Sequence, residues 1–137
     1  MPALDQCHDN VVNALAKAGW TVADRQFGFK TPLNWLFIDI QATRVTNGAI
    51  EQILLVEVKC FADGGSTMSD LYTAIGQYLV YRTMLRELGK SLPLYLAIPT
   101  KAYYGVFQRL VPSLIDELKI NVIVVDLGQE RIELWRP

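Results

Sequence analysis

Apolar and polar residues follow one another along the chain in blocks that predict an α/β protein. Near the N-terminus, apolar residues recur at the spacing of an amphipathic helix, which Gly19 ends. Most later blocks are short, continuous apolar runs rich in β-branched residues, a pattern typical of buried strands. The longest run, Ile53–Phe61, predicts a central strand. A long helix is predicted after it, from about Asp70 to Leu88, with Gly89 ending it.

The remaining blocks complete a predicted order of α-β-β-β-α-β-α-β-β. They are an extended stretch over Trp20–Phe29, strands over Trp35–Ile40 and Pro93–Ile98, short helices over Lys101–Arg109 and Pro112–Lys119, and strands over Asn121–Asp126 and Arg131–Trp135. Asp5 and Ser69 are the predicted N-caps of the first helix and the long helix. Strands joined through a helix favour parallel pairing. The sequence thus predicts one domain over residues 1–137, with a mixed central sheet flanked by helices.

The composition narrows the class of protein. Hydrophobic residues make up 51% of the chain and charged residues 20%, which excludes disorder. A formal net charge of −1 argues against a DNA-binding protein that relies on its own positive charge. A bound cation would supply that charge instead. The N-terminal residues lack the pattern of a secretory signal, and no stretch approaches the roughly 20 apolar residues of a membrane span. We therefore expect a cytoplasmic protein that does not enter a membrane.

The chain has two cysteines, Cys7 and Cys60. They are not part of a CxxC pair, and their spacing is not that of metal ligands. Without a secretory context to favour a disulfide, we expect both to be reduced and structural.

Two charged residues interrupt the central strand. Glu57 and Lys59 are two positions apart, so in a strand both side chains project from the same face. Such groups are rarely buried unless they are paired or bound to a ligand. An ion pair near a strand end and a metal site both remain open. The similar triplet Glu117-Leu118-Lys119 lies on a predicted helix, where residues two apart diverge, so it does not form a joint site.

Asp39 joins this pair only if the hairpin between the two strands has the right register. A two-residue Asn47-Gly48 loop pairs positions whose numbers sum to 95, which places Asp39 on the face away from Glu57. A three-residue loop that includes Thr46 gives a sum of 94 and makes Asp39 and Glu57 diagonal neighbours on one face. A shared site requires an even sum, so we expect the three-residue loop.

Asp39, followed by Glu57-x-Lys59 on the next strand, resembles the core of the PD-(D/E)XK nuclease superfamily. Gln77-x-x-x-Tyr81 on the long helix is similar to the QxxxY element of its exonuclease-like branch. The residue before Asp39 is Ile38 rather than the proline of the superfamily's name. The resemblance implies a restriction-endonuclease-like core with the order αβββαβ.

The chain also resembles the XisH family, the fdxN-element excision controlling factors, over nearly its whole length. The matching positions are His8-Asp9, Ala14-Leu15, Gly19-Trp20, Asp39, Val56-Glu57-Val58-Lys59, Ile75-Gly76-Gln77-Tyr78, Tyr81-Arg82, Leu94–Pro99 and Trp135. This resemblance implies a role in programmed DNA-element excision, with DNA, an XisI-like protein and a site-specific recombinase as partners. A homo-oligomer is a further expected assembly.

The resemblance implies phosphodiester hydrolysis assisted by Mg²⁺ or Mn²⁺. Asp39, Glu57 and the Val58 backbone carbonyl would bind the ion, while Lys59 would orient the attacking water or steady charge at the phosphate. Gln77 and Tyr81 would hold the lysine, the water or the DNA backbone, unless they are only a polar pair satisfied by backbone. His8 and Asp9 are weaker candidates, since a lone histidine such as His8 is more often a core group than a ligand.

The sequence therefore allows three interpretations. The first is an active metal-dependent DNA nuclease. The second is a catalytically silent nuclease-fold protein that assists or restrains a recombinase. The third is a plain binding module in which Glu57 and Lys59 form an internal ion pair.

Overall fold

A six-stranded mixed sheet forms the centre of the protein in the computed structural model, which describes residues 6–62 and 67–137. The strands are β1 Thr21–Val22, β2 Phe27–Lys30, β3 Trp35–Ile38, β4 Ile40–Thr46, β5 Ala49–Val58, β6 Leu94–Pro99, β7 Val122–Asp126 and β8 Arg131–Arg136. The helices are α1 His8–Lys17, α2 Thr67–Glu87, α3 Thr100–Ala102, a π-helix over Tyr103–Leu110, and α4 Leu114–Leu118. The sheet has the spatial order β1-β4-β5-β6-β7-β8, while β2 and β3 form a separate two-stranded sheet.

The pairing directions confirm the predicted mixed sheet. β1, β4 and β5 are antiparallel, β5, β6 and β7 are parallel, and β8 pairs antiparallel with β7. The parallel pairs are those whose strands are connected through helices, as the alternation of strands and helices predicts. The chain is therefore one α/β unit in which the antiparallel hairpin β4–β5 continues into a parallel layer.

Helices cover the two faces of the sheet unequally, and each face has its own apolar core. On one face, α2, the π-helix and α4 pack against Leu55, Leu96 and Val124. On the other face, α1 packs against Val56, Ala97 and other inward residues of the same strands. Consecutive residues such as Leu55 and Val56 face opposite cores because side chains alternate along a strand. The continuous apolar runs in the sequence follow from this burial on both faces.

Two predicted strands are divided in the structure. The stretch predicted over Trp20–Phe29 becomes β1 and β2, which belong to different sheets. The strand predicted over Trp35–Ile40 breaks at Asp39 into β3 and β4. Ile38 lies in the α2-side core and Ile40 in the α1-side core, although residues two apart in one strand would share a face. The break is thus a bend that turns the chain from the small sheet into the large one.

The helices also differ from the predictions in detail. Ser69, the predicted N-cap of the long helix, lies inside α2. The short helix predicted over Lys101–Arg109 is α3 continuing into the π-helix, because apolar spacing over so few residues does not separate the two helix types. The predicted cap Asp5 and the loop residues 63–66 lie outside the described residues. In the described ranges, no helix is long and apolar enough to cross a membrane.

Cys7 and Cys60 form a disulfide, so the expectation that both are reduced is wrong. Their Cα atoms are 5.4 Å apart, within the usual range for a bridge. The bridge joins the N-cap position of α1 to the segment that follows β5. The two residues are separated by 53 positions, so sequence spacing offered no signal for the pairing.

Candidate functional site

Three of the predicted site residues lie at the end of the sheet where β4 begins and β5 ends. Asp39 directly precedes β4, Glu57 is the penultimate residue of β5, and Lys59 directly follows β5. Because β4 and β5 are antiparallel, the start of one strand lies beside the end of the other. Residues that are 18 to 20 positions apart in sequence are brought together in this way.

The turn of the β4–β5 hairpin is not the expected three-residue loop. Asn47 and Gly48 form a two-residue loop, with Thr46 paired to Ala49. Their φ angles of 53° and 79° are both positive, as a type I′ turn requires. By itself this turn gives a pair sum of 95, which would place Asp39 on the wrong face for a site shared with Glu57.

A β-bulge in the same hairpin corrects the register. Between Arg44 and Val45 the pairing shifts, so that Glu51 is an extra residue on β5 and the pair sum becomes 96. The Glu51 carboxylate accepts a hydrogen bond from the Thr46 hydroxyl at 2.6 Å, which stabilises the bulged segment. Continuing this register by one residue sets Asp39 directly opposite Glu57. The even sum that a shared site requires is therefore reached through a bulge.

Asp39 is fixed by a main-chain hydrogen bond at the bend between β3 and β4. Its Oδ2 accepts the N–H of Val58 at 2.7 Å, a charge-assisted bond at the end of β5. The N–H and C=O of one strand residue point to the same side, so the Val58 carbonyl is also directed toward Asp39. Asp39 remains half-buried. The carboxylate is thus held in place with part of its surface still open to a ligand.

Glu57 is one of the few polar residues in the interior. Its side chain is 5% exposed, and the register places it on the face that α2 covers, together with Leu55. Burying an ionised carboxylate costs several kcal/mol unless partners or a cation compensate. A position that the hydrophobic core alone would fill with an apolar residue is therefore occupied by an acid facing Asp39.

Lys59 pairs with an acid that the sequence analysis did not select. Its backbone N–H donates to Ala97 O at 3.0 Å, which fixes the chain after β5. Its ammonium lies 3.5 Å from Asp70 Oδ1, and the two side chains are 23% and 24% exposed. Asp70 stands in the first turn of α2. Its acidic character near a helix start was visible in the sequence, but a capping role explains such a residue equally well.

Of the helix pair Gln77 and Tyr81, only Tyr81 interacts with the carboxylates. Burial raises the pKa of the Tyr81 phenol above its usual value of 10.0, and the negative charges of Glu57 and Asp39 raise it further. The Tyr81 ring also packs edge-on against Phe29, with ring centroids 6.4 Å apart. Tyr81 therefore stays a neutral hydrogen-bond donor beside the acids. Gln77 is exposed on α2.

Gln26 is a polar residue beside the site that sequence reasoning missed. β2 and β3 pair Phe27 with Ile38, so the next position along this register sets Gln26 opposite Asp39. Both atoms of its amide group are buried without a hydrogen-bond partner among the described residues. Leaving such a group unsatisfied costs about 1–3 kcal/mol, so a further partner at this position would stabilise the protein. The sequence around Gln26, with Arg25 before it and Phe27 after it, did not indicate a buried polar group beside the site.

The weaker candidates lie on a different element. His8 and Asp9 are the first two residues of α1, which packs on the face opposite Glu57. Asp9 is exposed, while Nδ1 of the half-buried His8 has no hydrogen-bond partner among the described residues. The structure therefore separates these two residues from the face that carries the carboxylates.

The oxygen donors at the start of β4 and the end of β5 fit a hard divalent cation. Asp39 and Glu57 supply carboxylate oxygens on opposed positions, and the Val58 carbonyl is directed to the same side. Magnesium and manganese prefer oxygen ligands of this kind and retain several waters. In the described part of the chain, no group of three or more His, Cys, Asp or Glu side chains is arranged to hold a metal. The donors at this end of the sheet are instead two carboxylates and one main-chain oxygen.

The chain is similar to one protein family and to two solved structures. A family model described as XisH protein matches residues 1–133. A crystal structure of an fdxN element excision controlling factor protein from Anabaena variabilis has 34% identity and a TM-score of 0.82, covering 95% of this chain and 97% of that one. An XisH family protein from Nostoc punctiforme PCC 73102 has 32% identity and a TM-score of 0.82, covering 97% of this chain and 100% of that one. No curated protein matches the sequence.

Proposed function

The chain belongs to the XisH family, and from this premise we propose that it acts in excision of a DNA element through metal-dependent phosphodiester hydrolysis. The excision role is carried over from the Anabaena variabilis protein, whose name describes it as an excision controlling factor. The hydrolytic role rests on the residues at the start of β4 and the end of β5. We further propose that the site has the restriction-endonuclease-like arrangement of the PD-(D/E)XK nucleases.

One observation carries the hydrolytic proposal, namely the register of the β4–β5 hairpin. Continued by one residue beyond the Ile40–Val56 pair, the bulged register sets Asp39 opposite Glu57, and Lys59 directly follows β5. A structural role would not require two acids to face each other at a strand pair, because opposed like charges are destabilising. A site for a cation explains the arrangement, since the ion removes the repulsion. This is the physical reason to prefer a metal site over an internal ion pair.

Each residue has a role that follows from its position. Asp39, Glu57 and the Val58 carbonyl would hold Mg²⁺ or Mn²⁺, which when bound polarises the phosphoryl oxygen and acidifies a bound water. Lys59 would orient that water and stabilise charge on the phosphate. Asp70 holds the Lys59 ammonium in the absence of substrate, as the 3.5 Å contact indicates. Tyr81 would donate a hydrogen bond from the helix side, and the exposed Gln77 would contact the DNA backbone.

A second candidate is a catalytically silent protein that binds the metal and DNA for another enzyme. The Lys59–Asp70 contact favours it, because a lysine engaged by a carboxylate is less available to a phosphate. In that case an XisI-like protein and a site-specific recombinase are the proposed partners, and a second copy of this chain is a further one. Both candidates place the protein on DNA in the cytoplasm.

A cleavage assay separates the two candidates. The purified protein is incubated with supercoiled, linear and branched DNA in Mg²⁺, in Mn²⁺, or in chelator, and the products are resolved on denaturing gels. We expect cleavage in either metal, loss of activity in Asp39→Asn and Glu57→Gln, and full activity in Glu117→Gln. Glu117 is a matched control because it is the acid of the exposed triplet on α4.

The results divide as follows. Cleavage that survives in Glu57→Gln would refute the assignment of this site. If the wild-type protein binds the metal and the DNA but cleaves none of the substrates, the silent candidate is supported instead. An XisI-like protein and the recombinase would then be added to the same assay.

A further inference from the structure

The small hairpin of β2 and β3 has one face in the core and one face directed away from it. Side chains alternate between the two faces of a strand. One alternate set packs into the α2-side core, namely Phe27, Phe29, Leu36 and Ile38. The other set forms the outward face of the hairpin, namely Gly28, Lys30, Trp35 and Phe37.

Two aromatic side chains dominate this outward face. Trp35 is 57% exposed, and Phe37, two residues further along β3, is half-buried. A Cβ placed on Gly28 would lie 3.0 Å from Phe37 Cε1 and 3.6 Å from Trp35 Cε3. Both rings therefore reach over Gly28, where the lack of a side chain permits their close approach. The outward face is thus an aromatic surface that is open to solvent.

The turn of the hairpin holds this surface in a fixed position. Thr31 is only 6% exposed, and its Oγ1 accepts the backbone N–H groups of Leu33 and Asn34 at 3.2 and 3.1 Å. The Thr31 N–H in turn donates to Asn34 O at 2.8 Å. A surface that is ordered before its ligand arrives loses less conformational entropy on binding.

The side chains exposed at this end of the hairpin indicate the chemistry of the ligand. Leu33 at the turn is 94% exposed and lies close in sequence to Trp35, and neighbouring exposed apolar groups mark interaction sites. Lys30 is exposed and pairs directly with Trp35 across the hairpin. An aromatic ring beside a cation suits a nucleotide, whose base stacks on the ring while its phosphate contacts the cation. An apolar protein partner would use the rings but not the lysine.

The outward face leads directly to the candidate site. Asp39 follows β3 and is two residues from Phe37 and four from Trp35. At about 3.4 Å per strand residue, Asp39 is at most about 7 Å from Phe37 and about 14 Å from Trp35. A DNA strand advances about 3.4 Å per nucleotide, so these distances correspond to about two to four nucleotides. Bases in a duplex are stacked on one another, so only unpaired bases would offer a free face to the rings.

From these observations we infer that the outward face of the β2–β3 hairpin binds unpaired bases of a DNA strand. Trp35 and Phe37 stack on the bases, and Lys30 contacts a phosphate. The inference rests on the proposed function for DNA as the ligand, and it names the substrate class, which is DNA with a single-stranded segment beside the phosphate at Asp39. Stacking also explains how a chain of net charge −1 holds DNA without a large basic surface.

The π-helix and the end of α2 provide matched controls. Tyr104 on the π-helix is 54% exposed, close to the value for Trp35, and its ring packs edge-on against Tyr103. Tyr104→Ala therefore removes an equally exposed ring without changing the hairpin. Lys90, an exposed residue just beyond α2, is the control for Lys30 because Lys90→Gln changes the net charge equally.

The experiment measures anisotropy of a fluorescein-labelled thymidine oligonucleotide of about 12 nucleotides in chelator, with a duplex of equal length for comparison. We expect the wild type to bind the single strand more tightly than the duplex. Trp35→Ala should weaken single-strand binding by about 5-fold to 150-fold, the range for loss of one base–aromatic stack. Trp35→Leu keeps an apolar side chain without a ring and should weaken binding in the same way. Trp35→Phe should keep most of the affinity, and Tyr104→Ala should bind as the wild type does.

A salt series separates the lysine from the rings. Lys30→Gln should lower the slope of log Kd against log salt by about 0.7, the value for one phosphate contact on a single strand. Trp35→Leu should keep the wild-type slope because an indole ring carries no charge, and Lys90→Gln should keep it as well. Melting curves of all variants verify that each is folded at the temperature of the assay.

Equal single-strand affinity in the wild type and the folded Trp35→Leu variant would overturn the inference, as would tighter binding of the duplex. A change from dimer to monomer in Trp35→Leu with unaltered DNA binding would also overturn it, because the face would then bind a second copy of the chain. Cleavage by a wild type whose DNA binding does not depend on Trp35 would overturn the inference and leave the proposed hydrolysis intact. Trp35-dependent binding of the single strand by a protein that never cleaves would support the inference and refute the hydrolysis.

Discussion

The response of the melting temperature to Mg²⁺ gives the most direct test of the paired carboxylates. Continued by one residue beyond Ile40–Val56, the β4–β5 register sets Asp39 opposite Glu57, and the Cβ atoms of opposed residues are about 5 Å apart. Two unit charges at about 5 Å repel each other by about 3 kcal/mol at an effective dielectric constant of about 20. Replacing Glu57 with Gln removes this repulsion and also a buried charge, since Glu57 is 5% exposed. The metal-free variant should therefore be at least as stable as the metal-free wild type.

A bound ion stabilises the wild type by mass action. At a hundred times the dissociation constant the gain is about 2.7 kcal/mol. For a chain of 137 residues, 1 kcal/mol corresponds to about 3.5 °C, so the expected rise in Tm is about 9 °C. Glu57→Gln should lose most of this rise because it supplies one fewer anionic ligand. Glu117 is an exposed acid on α4, and Glu117→Gln should keep the full rise in Tm.

The internal ion-pair interpretation predicts the opposite pattern. If Glu57 serves only to neutralise Lys59, then Glu57→Gln lowers the free energy of unfolding and Mg²⁺ has no effect. The Asp70 contact to Lys59 at 3.5 Å limits that loss, because the ammonium keeps one counter-charge. Differential scanning fluorimetry at constant ionic strength distinguishes the cases. A wild-type Tm that does not change over the Mg²⁺ series, or a rise of equal size in Glu57→Gln, would refute the metal site.

The remaining predictions concern Tyr81, the disulfide and the second triplet. Because the Tyr81 pKa is raised in the folded state, stability due to the neutral phenol is present below pH 10.0 and falls as the pH rises through the folded pKa. The ultraviolet titration curve of the wild type, after subtraction of the curve of Tyr81→Phe, reports the ionisation of Tyr81. Glu57→Gln should shift this difference curve to lower pH, and an unchanged curve in that variant would contradict the placement of Tyr81. The disulfide encloses a segment of 53 positions, so its reduction should cost about 4 kcal/mol in urea unfolding, while Cys7→Ser/Cys60→Ser should not respond to dithiothreitol. A reducing environment favours the dithiol form, and activity should therefore be measured in both states. Glu117→Ala should change the free energy of unfolding by no more than about 0.5 kcal/mol and leave metal binding intact.

Much of the fold could be predicted from local patterns, because burial on both faces leaves continuous apolar runs. The long helix, the buried strands at β5, β6 and β7, and the change from antiparallel to parallel pairing all follow from such runs and from the helices between them. The division of Trp35–Ile40 at Asp39 did not follow, because a bend between two sheets leaves no mark on hydrophobicity.

The candidate site shows the same division between local and tertiary information. The sequence alone pointed to Asp39, Glu57 and Lys59, since charges within apolar strands are conspicuous. It could not settle whether they share a face, because one inserted residue reverses every side chain of a strand. The structure keeps the two-residue turn and adds a bulge at Glu51, a combination that neither predicted register contained.

Tertiary structure alone determines which residues of distant segments come into contact at the site. Asp70 reaches Lys59 because the first turn of α2 lies beside the end of β5. Gln26 comes next to Asp39 because β2 and β3 form a separate hairpin, whose register, continued by one residue, sets the two opposite each other. The Cys7–Cys60 bridge likewise depends on where α1 lies relative to the end of β5. Residue type and spacing encode which groups are chemically able to act, whereas long-range packing determines which of them meet.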